Sequence, residues 1–117
     1  MPMNIQIFGK SKCFATKKAE RFFQERGIRF QSVDLPKKGL SRRELESVVQ
    51  AVGDIMLLVD EKHPDAALVR YLLPDAQFEK ILAEPKLLRT PIVRNGRQAT
   101  IGEAQDIWLK WIQESIG

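Results

Sequence analysis

Residues 5–33, IQIFGKSKCFATKKAERFFQERGIRFQSV, carry the pattern that decides the fold. Ile5-Gln6-Ile7-Phe8 reads as a short buried strand ended by Gly9. From Phe14 to Arg26, apolar residues fall at 15, 19, 22 and 23, the spacing of a helix with one inward face. Gly27 supplies a helix stop, and Ile28 to Val33 alternates with period two, as a second strand does. Strand, helix and strand with such short joints make a right-handed βαβ unit and a parallel pair.

Downstream, Pro36 to Gly39 breaks the pattern, and Ser41-Arg42-Arg43-Glu44 has the form of a capping box that opens a helix through about Val52. Ile55 to Val59 fits either a helix end or a short extended piece. Asp65 to Leu73 and Asp75 to Ala83 read as two further short helices, each begun by an acidic cap after Pro64 or Pro74. Thr90-Pro91-Ile92-Val93-Arg94 and Gln98-Ala99-Thr100-Ile101 flank Asn95-Gly96, a two-residue hairpin signal. Glu103 to Ile116 then predicts a last amphipathic helix, with Ile107, Trp108, Trp111 and Ile112 at helical spacing and the tryptophans as core anchors. The order β-α-β, helices, β-β-α predicts an α/β, thioredoxin-like fold with a four-stranded mixed sheet. It forms one domain over residues 1–117, with a helical insertion at about 37–84.

The composition suits such a domain: 117 residues, 44% hydrophobic and 29% charged. No apolar run approaches a membrane span, and the first residues lack the form of a signal peptide. One cysteine cannot form an internal disulfide, so a reducing cytoplasm is the expected setting. One cysteine and one histidine also argue against a Cys/His metal site, and no metal is expected. The net charge of +4 biases the chain toward anionic partners, but no RNP-like motif, zinc-finger spacing or long basic tract points to direct nucleic-acid binding. His63 has no second ligand-type residue beside it and reads as a loop residue, and no paired carboxylates are poised for acid/base work.

The chemistry therefore turns on Cys13. The βαβ reading sets it at the mouth of the first helix, where free N–H groups and the helix dipole stabilise an anion. A thiolate is such an anion, so the thiol becomes more acidic and more nucleophilic at neutral pH. Lys10, Lys12 and Lys17 would act in the same direction through charge, and Thr16, one helical turn on, could donate its hydroxyl to the sulfur. The competing reading is a small buried thiol inside a solvated lysine collar.

Cys13-Phe14-Ala15-Thr16-Lys17-Lys18-Ala19, directly after a strand, resembles the arsenate reductase ArsC/Spx/YffB family. So do Gly27-Ile28-Arg29-Phe30 with Val33-Asp34, Leu40-Ser41 with Glu44-Leu45, Pro85 to Val93, and Ile101-Gly102. The resemblance covers about residues 4–115. It implies a thioredoxin-like domain with a nucleophilic cysteine at its first helix. It further implies a thiol oxidoreductase that binds no cofactor, takes a small oxyanion, and uses glutathione or glutaredoxin as co-substrate or partner. The family's Spx members imply the alternative, a non-catalytic regulator that binds RNA polymerase.

The resemblance also implies a cis-proline at Pro91, with Thr90 and Pro91 as a platform for glutathione or another thiol. Arg89 beside it would reach a glutathione carboxylate, while Arg89 and Arg94 could equally be solvated surface. Three departures stand out. The reductases place oxyanion-binding arginines where this chain has Val59, Thr90 and the Ile101-Gly102 region. Guanidinium binding of an oxyanion is not readily replaced by scattered lysines. Thr16 also stands where a second cysteine would form the Spx disulfide.

Overall fold

The computed structural model describes residues 3–116. Strand β1 (Ile5–Gly9) leads through a short loop into helix α1 (Phe14–Glu25), and strand β2 (Phe30–Asp34) returns parallel to β1, Ile5 opposite Phe30 and Gly9 opposite Asp34. The insertion follows: α2 (Leu35–Lys38), α3 (Arg42–Val52), a 3-10 turn (Ile55–Leu58), α4 (Ala66–Tyr71), α5 (Pro74–Ala83) and a second 3-10 turn (Pro85–Leu87). The chain closes with β3 (Ile92–Asn95), β4 (Gln98–Ile101) and α6 (Gln105–Ile116). The sheet order is β2-β1-β3-β4, with β3 antiparallel to both β1 and β4. This mixed four-stranded sheet in a β-α-β…β-β-α order is the thioredoxin-like fold.

β1 lies inside the sheet and is apolar on both faces because each face meets a separate core. Ile5 and Ile7 join Ala19, Phe22 and Phe23 of α1, Val93, and Trp108 and Trp111 of α6 on one side. Phe8 and Ile92 join Leu45, Val48, Leu58, Val69, Ile81, Leu87 and Leu88 of the insertion on the other. Side chains one residue apart in a strand point to opposite faces, so Ile7 and Phe8 divide between the two cores. Trp108 is fully buried and satisfies its indole N–H by donating to Thr100 Oγ1 at 2.8 Å. The capping box at α3 is complete: Glu44 N donates to Ser41 Oγ and Ser41 N donates to Glu44 Oε1, at 3.1 and 2.8 Å.

Several boundaries differ from the sequence expectation. Leu35–Lys38 forms a single helical turn where a break is expected, because Pro36 sits at its first positions, where a missing N–H costs nothing. The hairpin pairs Asn95 with Gln98, so its turn is Gly96-Arg97, with Gly96 at φ 60, one residue later than expected. Neither Asp65 nor Asp75 caps a helix through its side chain; Leu73 precedes α5, with Pro74 opening it and Asp75 in its first turn. Ile55–Leu58 is helical but tight, and Val59 beyond it is extended and bridges Leu88, so both alternatives for this segment hold in part. α6 begins at Gln105, and Ile107 lies on its exposed side at 44% exposure.

Candidate active site

Cys13 occupies the N-cap of α1, with extended backbone (φ −91, ψ 115). Its N–H donates to Lys10 O at 3.1 Å, which folds Gly9–Cys13 into a tight turn off the end of β1. Its C=O accepts from Lys17 N at 3.2 Å as the first helical bond. The sulfur is half-buried and faces the loop before β3. There Thr90 Oγ1 donates to Sγ at 3.1 Å, and the thiol reaches Thr90 O at 3.7 Å. The Thr90–Pro91 peptide is cis. Cys13 and Thr90 thus meet across 77 residues of sequence because β1 and β3 are sheet neighbours.

Partial burial pushes the thiol up. It is outweighed by the hydroxyls of Thr16 and Thr90 and the backbone N–H groups of Thr16 and Ala15, which hold the Cys13 thiol below its ordinary value. The two hydroxyls are not equal. Thr90 is already bonded to the sulfur, whereas Thr16 Oγ1 is buried with no partner at hydrogen-bond distance. The Thr90 contact is therefore the firmer one, and Thr16 contributes when the sulfur is a thiolate, a stronger acceptor than a thiol.

Gly9 explains why Thr16 can sit there. A Cβ on Gly9 would lie 2.6 Å from Thr16 Oγ1 and 2.9 Å from Thr16 Cβ, and closer still to Cγ2. The missing side chain lets the first turn of α1 close down on the end of β1. From sequence alone Gly9 reads only as a strand stop. The signal for its second role is its place, one strand end away from a β-branched residue in the first helical turn.

The lysines do not gather at the sulfur. Lys10 turns its ammonium to the loop before β3, donating to Lys86 O and Leu88 O at 3.2 Å each. Lys12 and Lys17 are exposed, and no lysine charge is among the causes that hold the thiol down. The groups that hold the thiol down are hydroxyls and the backbone N–H groups at the helix end, whereas the sequence reading expects Lys10, Lys12 and Lys17 to act on it through charge. The Arg89 guanidinium donates to Leu57 O at 3.2 Å and lines a cleft of about 460 Å³ with Met56, Asp60, Glu61 and Lys62. Arg94 reaches inward to Gln6 Oε1 and to Ser47 Oγ of α3, on the insertion face of the sheet. His63 Nδ1 accepts from Asp65 N at 3.0 Å, which makes it part of a local turn.

The positions where the departures from the family fall are equally clear. Val59 is 2% exposed and bridges Leu88, and Thr90 gives its hydroxyl to the sulfur. Ile101 ends β4, and Gly102 N donates to Pro91 O at 2.8 Å, bracing the cis-proline from the far side. None of the three carries a positive charge toward Cys13.

Among solved structures, the arsenate reductase from Vibrio cholerae superposes with a TM-score of 0.81 at 23% identity, over 94% of this chain and 98% of that one. The chain has the arsenate reductase fold. In sequence it is similar to the global transcriptional regulator Spx 2 of Oceanobacillus iheyensis, 24% identical over 93% of each chain. It is also similar to the protein YusI of Bacillus subtilis, 21% identical over 89% of this chain and 94% of that one. No protein-family model matches it. Fold and sequence carry the same resemblance, to the arsenate reductase and Spx proteins. Within the arsenate reductase fold, Cys13 at the α1 N-cap and Thr90 before the cis-proline are brought together as the sequence reading expects. Lys10, Arg89 and Arg94 bond to other groups, and Lys12 and Lys17 are exposed. Among the described residues, no helix is long and apolar enough to cross a membrane.

Proposed function

We propose that this chain is a thiol oxidoreductase of the arsenate reductase type, with Cys13 as its one nucleophile. The observation that supports this most is the 3.1 Å hydrogen bond from Thr90 Oγ1 to a sulfur at the N-cap of α1. That placement favours the thiolate, and the thiolate is the attacking species. In the proposed cycle the Cys13 thiolate bonds to an electrophilic centre of the substrate as a leaving group departs with its bonding pair. A second thiol then attacks Cys13 Sγ, the substrate centre leaves two electrons reduced, and the resulting Cys13 mixed disulfide is reduced by a further thiol. Glutathione, recycled by glutaredoxin, is the second thiol we favour. The backbone at Thr90-Pro91 would align its peptide, and Arg89 at the mouth of its cleft could turn to its carboxylate.

The substrate is less well supported as arsenate than as a neutral or weakly charged electrophile. Val59, Thr90 and Ile101-Gly102 offer no guanidinium to an oxyanion, and Lys10 is bonded to carbonyls. Alkylation of Cys13 by iodoacetamide across pH tests the reading directly. A midpoint below that of a free thiol, at ~8.5, supports it, and one at or above that value refutes it. Arsenate-dependent NADPH oxidation with glutathione and glutaredoxin then tests the oxyanion; on the reasoning above it stays near background.

The end-to-end similarity to Spx 2 favours one second reading, a cytoplasmic non-catalytic regulator that binds RNA polymerase. Capture of polymerase subunits by a Cys13→Ser variant as well as by the unaltered chain would support it. Failure of both to bind purified polymerase would refute it.

A further inference from the structure

Lys10 has a role that its charge does not explain. The segment Leu87–Arg89 uses one edge against the end of the first 3-10 turn: Asp60 N donates to Leu87 O, and Arg89 N donates to Leu58 O, both at 2.7 Å. The carbonyls of Lys86 and Leu88 face the other way, toward the Gly9–Cys13 turn. There the Lys10 ammonium fills two of its three donor positions, at 3.2 Å to each. Lys10 is also the residue whose C=O accepts from Cys13 N. A single residue therefore joins the cysteine turn, through its backbone, to the loop that ends in Thr90, through its side chain.

We propose that Lys10 is a positioning residue for the Cys13 thiol, a tether that holds the Lys86–Leu88 loop, and Thr90 beyond it, at bonding distance from the sulfur. The inference rests on Cys13 being the reactive group. Leu87 and Leu88 are fully buried, so that side of the loop is fixed by packing, and the tether fixes the opposite edge. Thr90 lies two residues past Leu88, so a loosened Leu88 carbonyl directly loosens the Thr90 hydroxyl. A charged tether also suits carbonyl acceptors, since an ammonium makes stronger bonds to them than a neutral donor does.

The experiment compares iodoacetamide alkylation at pH 7 for the unaltered chain, Lys10→Met, Lys10→Arg, Thr90→Val and the Lys10→Met/Thr90→Val double variant, each at low and high salt. Lys10→Met is expected to slow alkylation roughly threefold to tenfold, as for a weakened hydrogen bond to an anion, and Lys10→Arg to restore most of the rate. Lys10→Met should add nothing once Thr90 is valine, because the tether acts through that hydroxyl. Additive losses, or a loss that high salt abolishes, would overturn the tether in favour of direct charge.

Amide hydrogen exchange at Arg89 and Asp60 gives a readout independent of thiol chemistry. Exchange there should quicken in Lys10→Met while Val93 in β3 stays protected, which also shows that the variant is folded. Unchanged exchange at both amides overturns the proposal. Should the unaltered thiol alkylate like free cysteine, the functional reading fails on its own, and the exchange data still decide the tether.

Discussion

Replacing Gly9 by alanine puts one methyl group where the structure has no room for it. The new Cβ would meet Thr16 Oγ1 at 2.6 Å and Thr16 Cβ at 2.9 Å, against an ordinary carbon–carbon contact of roughly 3.5–4 Å. Thr16 cannot swing clear, since it is β-branched, 6% exposed and held in the first turn of α1. The overlap reaches its Cβ, so relief requires the helix N-terminus to move off the end of β1. Overpacking of this kind costs roughly 1–3 kcal/mol. For a urea dependence of about 1.5 kcal/mol per molar, a 2 kcal/mol loss lowers the unfolding midpoint by about 1.3 M. The same displacement carries Cys13 away from Thr90, so alkylation at pH 7 should fall together with stability. The Gly9→Ala/Thr16→Ala double variant removes the clashing methyl and hydroxyl but keeps the 2.9 Å Cβ contact, so it should regain only part of the midpoint while the thiol stays slow for want of the Thr16 hydroxyl. A Gly9→Ala chain with an unchanged midpoint and an unchanged alkylation rate would refute the close-approach argument.

Other outcomes follow from the same contacts. Thr90→Val keeps the side-chain shape but loses the hydroxyl on sulfur, and should slow Cys13 alkylation at pH 7 roughly tenfold with little change in the urea midpoint. The Cys13 thiol is held below its ordinary value in the folded chain, so the unfolded state binds more protons through that range, and its contribution to stability grows as pH rises. That contribution is lost as pH falls through the folded value. Urea titrations at pH 6 and pH 9 should therefore show the unaltered chain gaining on Cys13→Ala at the higher pH. Thr100→Val leaves the buried Trp108 indole N–H without its 2.8 Å acceptor and should cost about 1–3 kcal/mol, read from the urea midpoint. Ser41→Ala breaks the capping box of α3 and should cost about 1 kcal/mol by the same measurement.

The frame was legible because it rests on periodicity. β1 and α1 announce themselves through Ile5, Ile7, Ala19, Phe22 and Phe23, and these are the residues that one core buries. The capping box at Ser41 and Glu44 was legible for a different reason: its geometry is set by four consecutive residues and needs no tertiary partner. Where the reading slipped, a distant contact decided the outcome. The hairpin turn moved by one residue because its register is held by β3 pairing with β1 as well as by Asn95-Gly96. Within the site, Cys13, Thr16, Thr90 and Pro91 could be found from position and resemblance. The destination of Lys10 could not, since its acceptors are backbone carbonyls more than 70 residues away, and carbonyls leave no mark in a sequence. Arg89 was ambiguous for the same reason, its partner being Leu57 O, while Arg94 was ambiguous because its side-chain partners, Gln6 and Ser47, lie far off in sequence.

The 77-residue span between Cys13 and Thr90 has a consequence for the life of the molecule before it is finished. Cys13 is made early and Thr90 late, and the two meet only when β3 docks against β1. A growing chain, or one opened by partial unfolding, still has its cysteine but lacks the Thr90 hydroxyl on the sulfur. Long-range closures of this kind come late because the loop entropy must be overcome before the contact forms. On the proposed function, the hydroxyl that favours the thiolate reaches the sulfur only in the completed fold, after the chain has passed through its most exposed stage.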